Sequence, residues 1–370
     1  MLLNYVFAKE TGIVFSRDVL AAESQQRVFA TVDSSSPVFV ITDPNVDRLY
    51  GDKISARLSR EGFQSHRFVA PHGEVAKSIK VYDDAVAFCI EKGVNRQSTI
   101  VAFGGGVVGN LAGMLAATIY RGINFINIPT TLLNQTDAAI DFKQALNTSR
   151  GKNLVGVYYP PSAVLVDTAF LQTLDKRYLI DGMAEGLKHG LCHDKEFIFE
   201  FSTKFRTFDD SVFLDWFVQR SVENKIKTMG SSGKSLAQEA IKQYGHSIGH
   251  AIEHLNYPDC LHGESVAIGM VCSAIIADLL GIAPASLIDF HRKLFENVGL
   301  PTYVPSARQI PEILDVMRVD KYNLNGLPTM GLIRDIGAMA VAPNPSGFSI
   351  TWDLVERALL LNVDPSENGS

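Results

Sequence analysis

The most constraining feature of this chain is an alternation in its first half between short branched-apolar runs and longer segments of helical spacing. PVFVITD (37–43) is a β-branched run closed by turn-forming residues, and DDAVAFCIEKG (83–93) has helical spacing with a glycine stop. STIVAFGGG (98–106) is a second apolar run ending in glycines, and INFINIPTT (123–131) and AVLVDT (163–168) continue the pattern. Strands joined through helices run parallel, and a parallel sheet is covered on both faces. The first 175 residues are therefore expected to form an α/β, Rossmann-like parallel-sheet domain. From 176 the pattern changes to long amphipathic runs such as RYLIDGMAEGLKHGL, FLDWFVQRSVENKIKTM and SLIDFHRKLFENVGL. Residues 176–362 are expected to be mainly helical, with strand-like pieces returning in PTMGLIRDIGAMAVA (328–342), and 363–370 forms a polar tail.

Composition narrows the classes of partner. A formal net charge of -6 over 370 residues argues against nucleic acid. Cys89, Cys192, Cys260 and Cys272 contain no CxxC pair and read as free thiols of a reducing compartment. The start, MLLNYVFAKETG, reaches Lys9 and Glu10 before any apolar stretch of signal-peptide length, and the apolar run from Ser265 stops at Asp278, short of a span. A cytoplasmic protein with no membrane partner is expected.

Chemistry concentrates in three places. Gly104, Gly105, Gly106 and Gly109 stand between an apolar run and an apolar helix, where glycines let the backbone approach a pyrophosphate at a helix N-terminus. A tight turn needs the same glycines. Asp43, at the end of an earlier strand, is the kind of carboxylate that binds a ribose hydroxyl, and Glu74 and Lys77 lie on a nearby loop. The acid precedes the glycines, so this is not the usual dinucleotide fingerprint.

In YGHSIGHAIEHLNYPDCLHGESVAIGM (244–270), a helix would place His246, His250 and His254 at i, i+4 and i+8, with Glu253 three after His250. His246 and His262 could share one ion, since catalytic divalent metals commonly take three protein ligands from His and carboxylate. Packing or acid–base duty would use the same residues, and His254 reads as an ordinary helix residue. The pattern is not HExxH, which disfavours a zincin-type protease. Glu185 and Lys188, three apart in GMAEGLKHG, share a helical face, and a buried carboxylate there requires a partner. Lys143 and Lys152 flank a loop rich in hydrogen-bonding groups, with Asp137 just upstream. Converging cations of this kind suit a phosphorylated substrate.

The ordered series GGGVVGNLAG, YRGINFINIPTTLL, DAAIDFKQALN, GKNLVGVYYPP, GMAEGLKHG, YGHSIGHAIEH and HGESVAIGM covers most of 35–275. It resembles the sugar phosphate cyclase superfamily, whose best-known member is 3-dehydroquinate synthase, and is closest in motifs to the 2-deoxy-scyllo-inosose synthase branch. The resemblance implies a dehydroquinate synthase-like fold, NAD, a divalent ion such as zinc or cobalt, and a phosphate-eliminating carbon–oxygen lyase that closes a carbocycle. It implies metal ligands at Glu185, His246 and His262. It implies NAD contacts at Asp43, Glu74, Lys77, Gly105, Gly106, Thr130 and Thr131, with Lys143 and Lys152 adjoining, and catalytic residues at Asp137, Lys143, Lys152, Lys188, Lys225 and His250. Asn153 and Gln243 would bind substrate, and Arg121 would contact the phosphate held by a neighbouring subunit, which implies a homodimer.

Two departures bear on the substrate. Dehydroquinate synthases carry an arginine seven residues before the first metal histidine and an asparagine three before it, both serving a substrate carboxylate. Here those positions hold Glu239 and Gln243, and 2-deoxy-scyllo-inosose synthases carry a glutamate where this chain has Gln243. The resemblance therefore favours a sugar phosphate without a carboxylate, glucose 6-phosphate giving 2-deoxy-scyllo-inosose first. Sedoheptulose 7-phosphate giving a valiolone-type product is next, then 3-dehydroquinate synthase. A metal-dependent polyol dehydrogenase would leave the lysines and Arg121 without a phosphate to neutralise, and a non-catalytic binding relative would leave the intact Glu185, His246, His262 and Lys143 unexplained.

Overall fold

The structure is a computed structural model describing residues 10–20, 32–229, 236–320, 323–344 and 347–365, with backbone only at 236–239. The chain divides into two compact units, Met1–Leu174 and Asp175–Ser370. Along the first run β1 (Gly12–Phe15), β2 (Val38–Thr42), α1 (Pro44–Arg60), β3 (Ser65–Val69), α2 (Ile79–Glu91), β4 (Thr99–Gly104) and α3 (Gly106–Thr118). They are followed by β5 (Asn124–Pro129), β6 (Lys143–Thr148), β7 (Gly151–Tyr158) and β8 (Ala163–Val166). Six strands form one sheet in the order β1-β8-β5-β4-β2-β3, every pair parallel.

Side chains leave a strand alternately up and down, so both faces of this sheet require apolar residues. Phe39, Ile41, Ile100, Ala102 and Phe125 enter one core with Ala85 of α2 and Leu111 and Leu115 of α3. Val38, Val40, Val101, Phe103 and Ile126 enter the other with Ile54 and Leu58 of α1. That double burial is why the strands read as continuous apolar runs. β2, β4 and β5 are neighbours, and their carboxyl ends deliver Asp43, Gly105 and Thr130 to one edge of the sheet, the edge where open α/β sheets bind ligands.

One sequence expectation is corrected here. The segment between Lys143 and Lys152 is not mainly a loop: most of it is β6, which pairs with β7 as an antiparallel hairpin, with Lys143 at the start of β6 and Lys152 near the start of β7.

The second unit is helical, as α4 (Lys176–His193), α5 (Lys195–Lys204), α6 (Ser211–Met229), α7 (Leu236–Gln243), α8 (His246–Asn256), α9 (His262–Leu279), α10 (Ser286–Glu296), α11 (Ile310–Arg318) and α12 (Trp352–Leu361). Four short strands, β9 (Thr329–Met330), β10 (Ile333–Asp335), β11 (Ala338–Met339) and β12 (Phe348–Ser349), pair as two small antiparallel ribbons. α9 forms the centre, with α4, α8, α10 and α12 packed on it. It is the one described helix long and apolar enough to cross a membrane, and 78% of that stretch is buried within the protein. Cys89, Cys192, Cys260 and Cys272 are all free and buried. Val363, read above as the start of the polar tail, is also buried, and its backbone bridges to Val304.

His291 of α10 lies wholly inside this unit, and burial pushes its pKa down to about 4. The unfolded chain protonates this ring near the ordinary value of about 6.5, whereas the folded chain resists until about 4. Stability from this ring is thus fully present above that ordinary value and is lost as the pH falls toward 4. Metal-free protein should lose roughly 2 kcal/mol more unfolding free energy between pH 7 and pH 4.5 than a His291→Gln variant does. Urea unfolding at the two pH values measures it, and equal losses would contradict the assignment.

Candidate metal and nucleotide sites

In the second unit, α4 carries Glu185, α8 begins at His246 and α9 begins at His262. One ligand-type atom from each of these residues lies within 4.8 Å of the others. His246 Nε2 is 3.1 Å and His262 Nε2 is 3.5 Å from the same oxygen, Glu185 Oε1. Each ring is oriented from behind. His246 Nδ1 donates to the Tyr244 carbonyl oxygen at 3.1 Å, and His262 Nδ1 faces Glu253 Oε2 at 2.9 Å. Both Nε2 atoms are thereby directed at Glu185, the tautomer that backing partners enforce in metal sites.

The local sequence explains how two helix starts come together. Gly245 has φ +76°, a conformation that favours glycine, and turns the chain directly into α8. α8 and α9 then meet backbone to backbone, since a Cβ on Gly269 would fall on the Gly245 carbonyl oxygen. Asp181 Oδ1 caps α9 by accepting from the backbone N–H of Gly263 at 2.6 Å and Glu264 at 3.2 Å.

Electrostatics here are set by burial and by Lys188, whose Nζ is 2.5 Å from Glu185 Oε2. Burial would raise the Glu185 pKa, but Lys188 and His246 outweigh it and hold the carboxyl well below its ordinary value. Burial and the Lys188 charge push His246 down to about 3. For His262 burial acts in the same downward sense, yet hydrogen bonds with Glu185 and Glu253 raise it well above its ordinary value. Both Glu185 oxygens are buried, Oε2 against Lys188 Nζ and Oε1 facing the two imidazoles. A fully buried carboxylate and two backed imidazoles fit a divalent transition metal that keeps positions open for substrate.

The other histidines separate. The His250 ring lies 5.1 Å from that of His246 and 6.0 Å from that of His262, centroid to centroid. Its Nδ1 is 3.9 Å from Asp320 Oδ2, just after α11. His254 is exposed. Lys225, on α6, is buried. Gln243, also buried, accepts at Oε1 from Thr329 Oγ1 at 3.3 Å, while the side chain of Glu239 lies outside the described residues. Glu253, Asp320 and Thr329 were given no role by sequence reasoning. Glu253 carries a signal, standing seven residues after His246 on the same helical face; Asp320 and Thr329 carry none, because the fold brings them from far along the chain.

In the first unit, Gly105 caps the 13-residue α3, and a Cβ on it would stand 3.0 Å from Thr131. The exposed N–H groups of a helix start beside a close-packed glycine fit a pyrophosphate. Thr130 is buried, and its N–H donates to the Gly104 carbonyl at 3.0 Å. Asp43 serves as the N-cap of α1, with Oδ1 accepting from Asn45 N at 2.9 Å and Val46 N at 3.2 Å. Glu74, Lys77 and Asn153 join through a residue that sequence reasoning missed, Asn147. Its amide donates to Glu74 Oε2 at 2.6 Å and its Oδ1 accepts from Asn153 N at 2.9 Å, while Lys77 Nζ donates to Asn153 Oδ1. Lys143 pairs with Asp141. Asp137 is partly buried, and Lys152 and Arg121 are exposed.

A parallel-sheet unit with an anion-ready helix start, followed by a helical unit with a Glu–His–His set, is the arrangement expected of a nucleotide-using metalloenzyme. The sequence matches the families described as 3-dehydroquinate synthase N-terminal over residues 67–181 and 3-dehydroquinate synthase C-terminal over 182–323. It is 36% identical over 318 residues to a 3-dehydroquinate synthase of Thermodesulfovibrio yellowstonii, covering 85% of this chain and 88% of that one. It is also 36% identical over 292 residues to a 2-deoxy-scyllo-inosose synthase of Streptomyces paromomycinus, covering 78% and 75%. Among solved structures, a 2-epi-5-epi-valiolone synthase of Streptomyces hygroscopicus subsp. jinggangensis with NAD+ and Zn2+ bound superposes with TM-score 0.84, 25% identity and full coverage of both chains. A 2-deoxy-scyllo-inosose synthase with carbaglucose-6-phosphate, NAD+ and Co2+ gives TM-score 0.79 and 27% identity, covering 95% and 96%.

The chain belongs to the 3-dehydroquinate synthase-like sugar phosphate cyclases. It is an enzyme of a family of phosphate-eliminating carbon–oxygen lyases with the dehydroquinate synthase-like fold. Overall identity does not separate the branches, because 3-dehydroquinate synthases at 35–39% and 2-deoxy-scyllo-inosose synthases at 36% overlap.

Proposed function

We propose that this cyclase takes a sugar phosphate lacking a carboxylate, glucose 6-phosphate being the first candidate and 2-deoxy-scyllo-inosose its product. The observation carrying the reading is Glu239, an acid seven residues before His246, where dehydroquinate synthases carry the arginine that serves the substrate carboxylate. An acid in place of that arginine repels a carboxylate and removes the charge-assisted contact. Gln243, three residues before His246, is buried, and its oxygen is engaged by Thr329 Oγ1. The 2-deoxy-scyllo-inosose synthase with a bound carbocyclic glucose 6-phosphate analogue supports the six-carbon choice. The full-length superposition on a valiolone synthase supports sedoheptulose 7-phosphate as the second reading.

In this reading Glu185, His246 and His262 hold a divalent ion, zinc or cobalt. Asp43, Glu74, Lys77, Gly105, Gly106, Thr130 and Thr131 hold NAD, with Lys143 and Lys152 beside it. When bound, NAD+ supplies a hydride acceptor that is restored within each turnover, and the ion supplies positive charge to a substrate oxygen. Lys143 and Lys188, with Arg121, carry the counter-charge for the departing phosphate, and Asp137 and Asn153 orient the substrate. His250, with Asp320 behind it, moves the proton during ring opening, a task suited to imidazole. Lys225 and Gln243 contact substrate hydroxyls. The enzyme is read as a cytoplasmic homodimer in which the exposed Arg121 serves the phosphate in the neighbouring copy.

A substrate panel tests this. With NAD+ and Co2+, kcat/KM for glucose 6-phosphate should exceed that for a carboxylate-bearing sugar phosphate of the dehydroquinate synthase type by at least about 100-fold, as expected when a charged contact is missing. Preference for the carboxylate-bearing substrate would overturn the reading, and preference for sedoheptulose 7-phosphate would select the second.

A further inference from the structure

Behind the His246 ring lies a buried polar pair that the reaction itself does not use. Tyr244, wholly buried, places its hydroxyl 2.7 Å from His291 Nε2, and His291 Nδ1 lies 2.7 Å from the Leu287 carbonyl oxygen. A carbonyl oxygen only accepts, so Nδ1 carries the proton toward Leu287. The neutral ring then offers its Nε2 lone pair to the Tyr244 O–H. Both groups are buried, which favours the neutral ring and the protonated phenol.

The same Tyr244 supplies the backbone carbonyl that accepts from His246 Nδ1. The Tyr244–Gly245 peptide is thus fixed at several points. The side chain is anchored on α10 through His291, Gly245 occupies a left-handed conformation, and the next carbonyl oxygen packs against Gly269 of α9. Turning this peptide would withdraw the carbonyl from Nδ1 and release the ring whose Nε2 faces Glu185.

We infer that Tyr244 and His291 are positioning residues for the metal ligand His246, acting through the Tyr244 carbonyl across 47 residues of sequence. The inference rests on the reading of Glu185, His246 and His262 as a metal site, and it assigns the pair a role beyond core packing. A hydroxyl–imidazole hydrogen bond costs both groups their contact with water, so a merely space-filling position would be served by two apolar residues. Partners behind a metal-bound histidine commonly change metal affinity 10- to 100-fold when lost.

The test uses the full chain, with Zn2+ affinity from chelator competition, the visible absorption of the Co2+ form, and far-UV circular dichroism of the metal-free protein. Tyr244→Phe, which deletes one oxygen, and His291→Leu should each weaken Zn2+ binding by about 10-fold and shift the Co2+ bands. His291→Gln, whose amide oxygen can accept from Tyr244, should recover most of the loss. Folded Tyr244→Phe protein with parental Zn2+ affinity and Co2+ spectrum would overturn the inference. So would unfolding of Tyr244→Phe, because the hydroxyl would then be serving core stability. Should His291→Leu fail to fold, Tyr244→Phe decides alone. If the parent protein binds no Zn2+, or His246→Ala retains it, the metal-site reading fails first, and that result is distinguishable from loss of the positioning role alone.

Discussion

Replacing His246 with alanine is expected to reduce metal content from about one ion per chain to background and to lower cyclase activity by at least about 1,000-fold. His246 is the buried member of the imidazole pair facing Glu185 Oε1, and its Nδ1 is already committed to the Tyr244 carbonyl. Alanine leaves Glu185 with Lys188 as its near counter-charge and His262 as the other imidazole, two ligands where catalytic zinc sites use three. The first residue of a helix tolerates alanine, so the secondary structure should be retained. Metal analysis after gel filtration and circular dichroism would separate loss of the ion from loss of the fold. A folded His246→Ala protein that keeps its metal would remove His246 from the ligand set.

Gly269→Ala should destabilise the second unit by about 3 kcal/mol and impair metal binding at the same time, although residue 269 is not itself a proposed ligand. The added methyl would fall on the Gly245 carbonyl oxygen and stand 2.9 Å from both Gly245 C and Gly249 N. These are backbone atoms of a left-handed turn and of the first turn of α8, so neither a rotamer change nor a small shift relieves them. The reciprocal contact is also tight, since a Cβ on Gly249 would lie 3.0 Å from the Ser265 carbonyl oxygen and from Val266 Cα. α8 and α9 must separate, and His246 and His262 begin those two helices. Urea unfolding and chelator competition on one preparation check both effects. Parental stability in this variant would contradict the close approach of α8 and α9.

Both effects depend on features of unequal legibility in the sequence. β2, β4, β5 and β8 were readable because strands buried on both faces leave unbroken apolar runs. The segment between Lys143 and Lys152 was read as a loop because Gln144, Asn147 and Thr148 interrupt the apolar residues of β6, and the exposed β7 went unread. β1 and β3 went unread, being short edge strands with only part of their surface buried. Periodicity placed His246 and His250 on one face of α8, and the exposure of His254 agrees with its reading as an ordinary helix residue.

The groups behind the histidines were harder to read. Spacing could hint at Glu253, but only the packing of α10 against α9 brings His291 to Tyr244, and only β9 brings Thr329 to Gln243. A sequence displays residues that repeat with the period of their own helix. It does not display a hydrogen bond made between elements distant along the chain.

The most direct measurement of the central claim is simultaneous determination of inorganic phosphate and NADH when the Co2+-loaded protein is incubated with NAD+ and glucose 6-phosphate. An enzyme that restores its nicotinamide within each turnover should release many equivalents of phosphate per chain while accumulating no more NADH than one equivalent per chain. Stoichiometric NADH without phosphate would contradict the account and place the chain with polyol dehydrogenases.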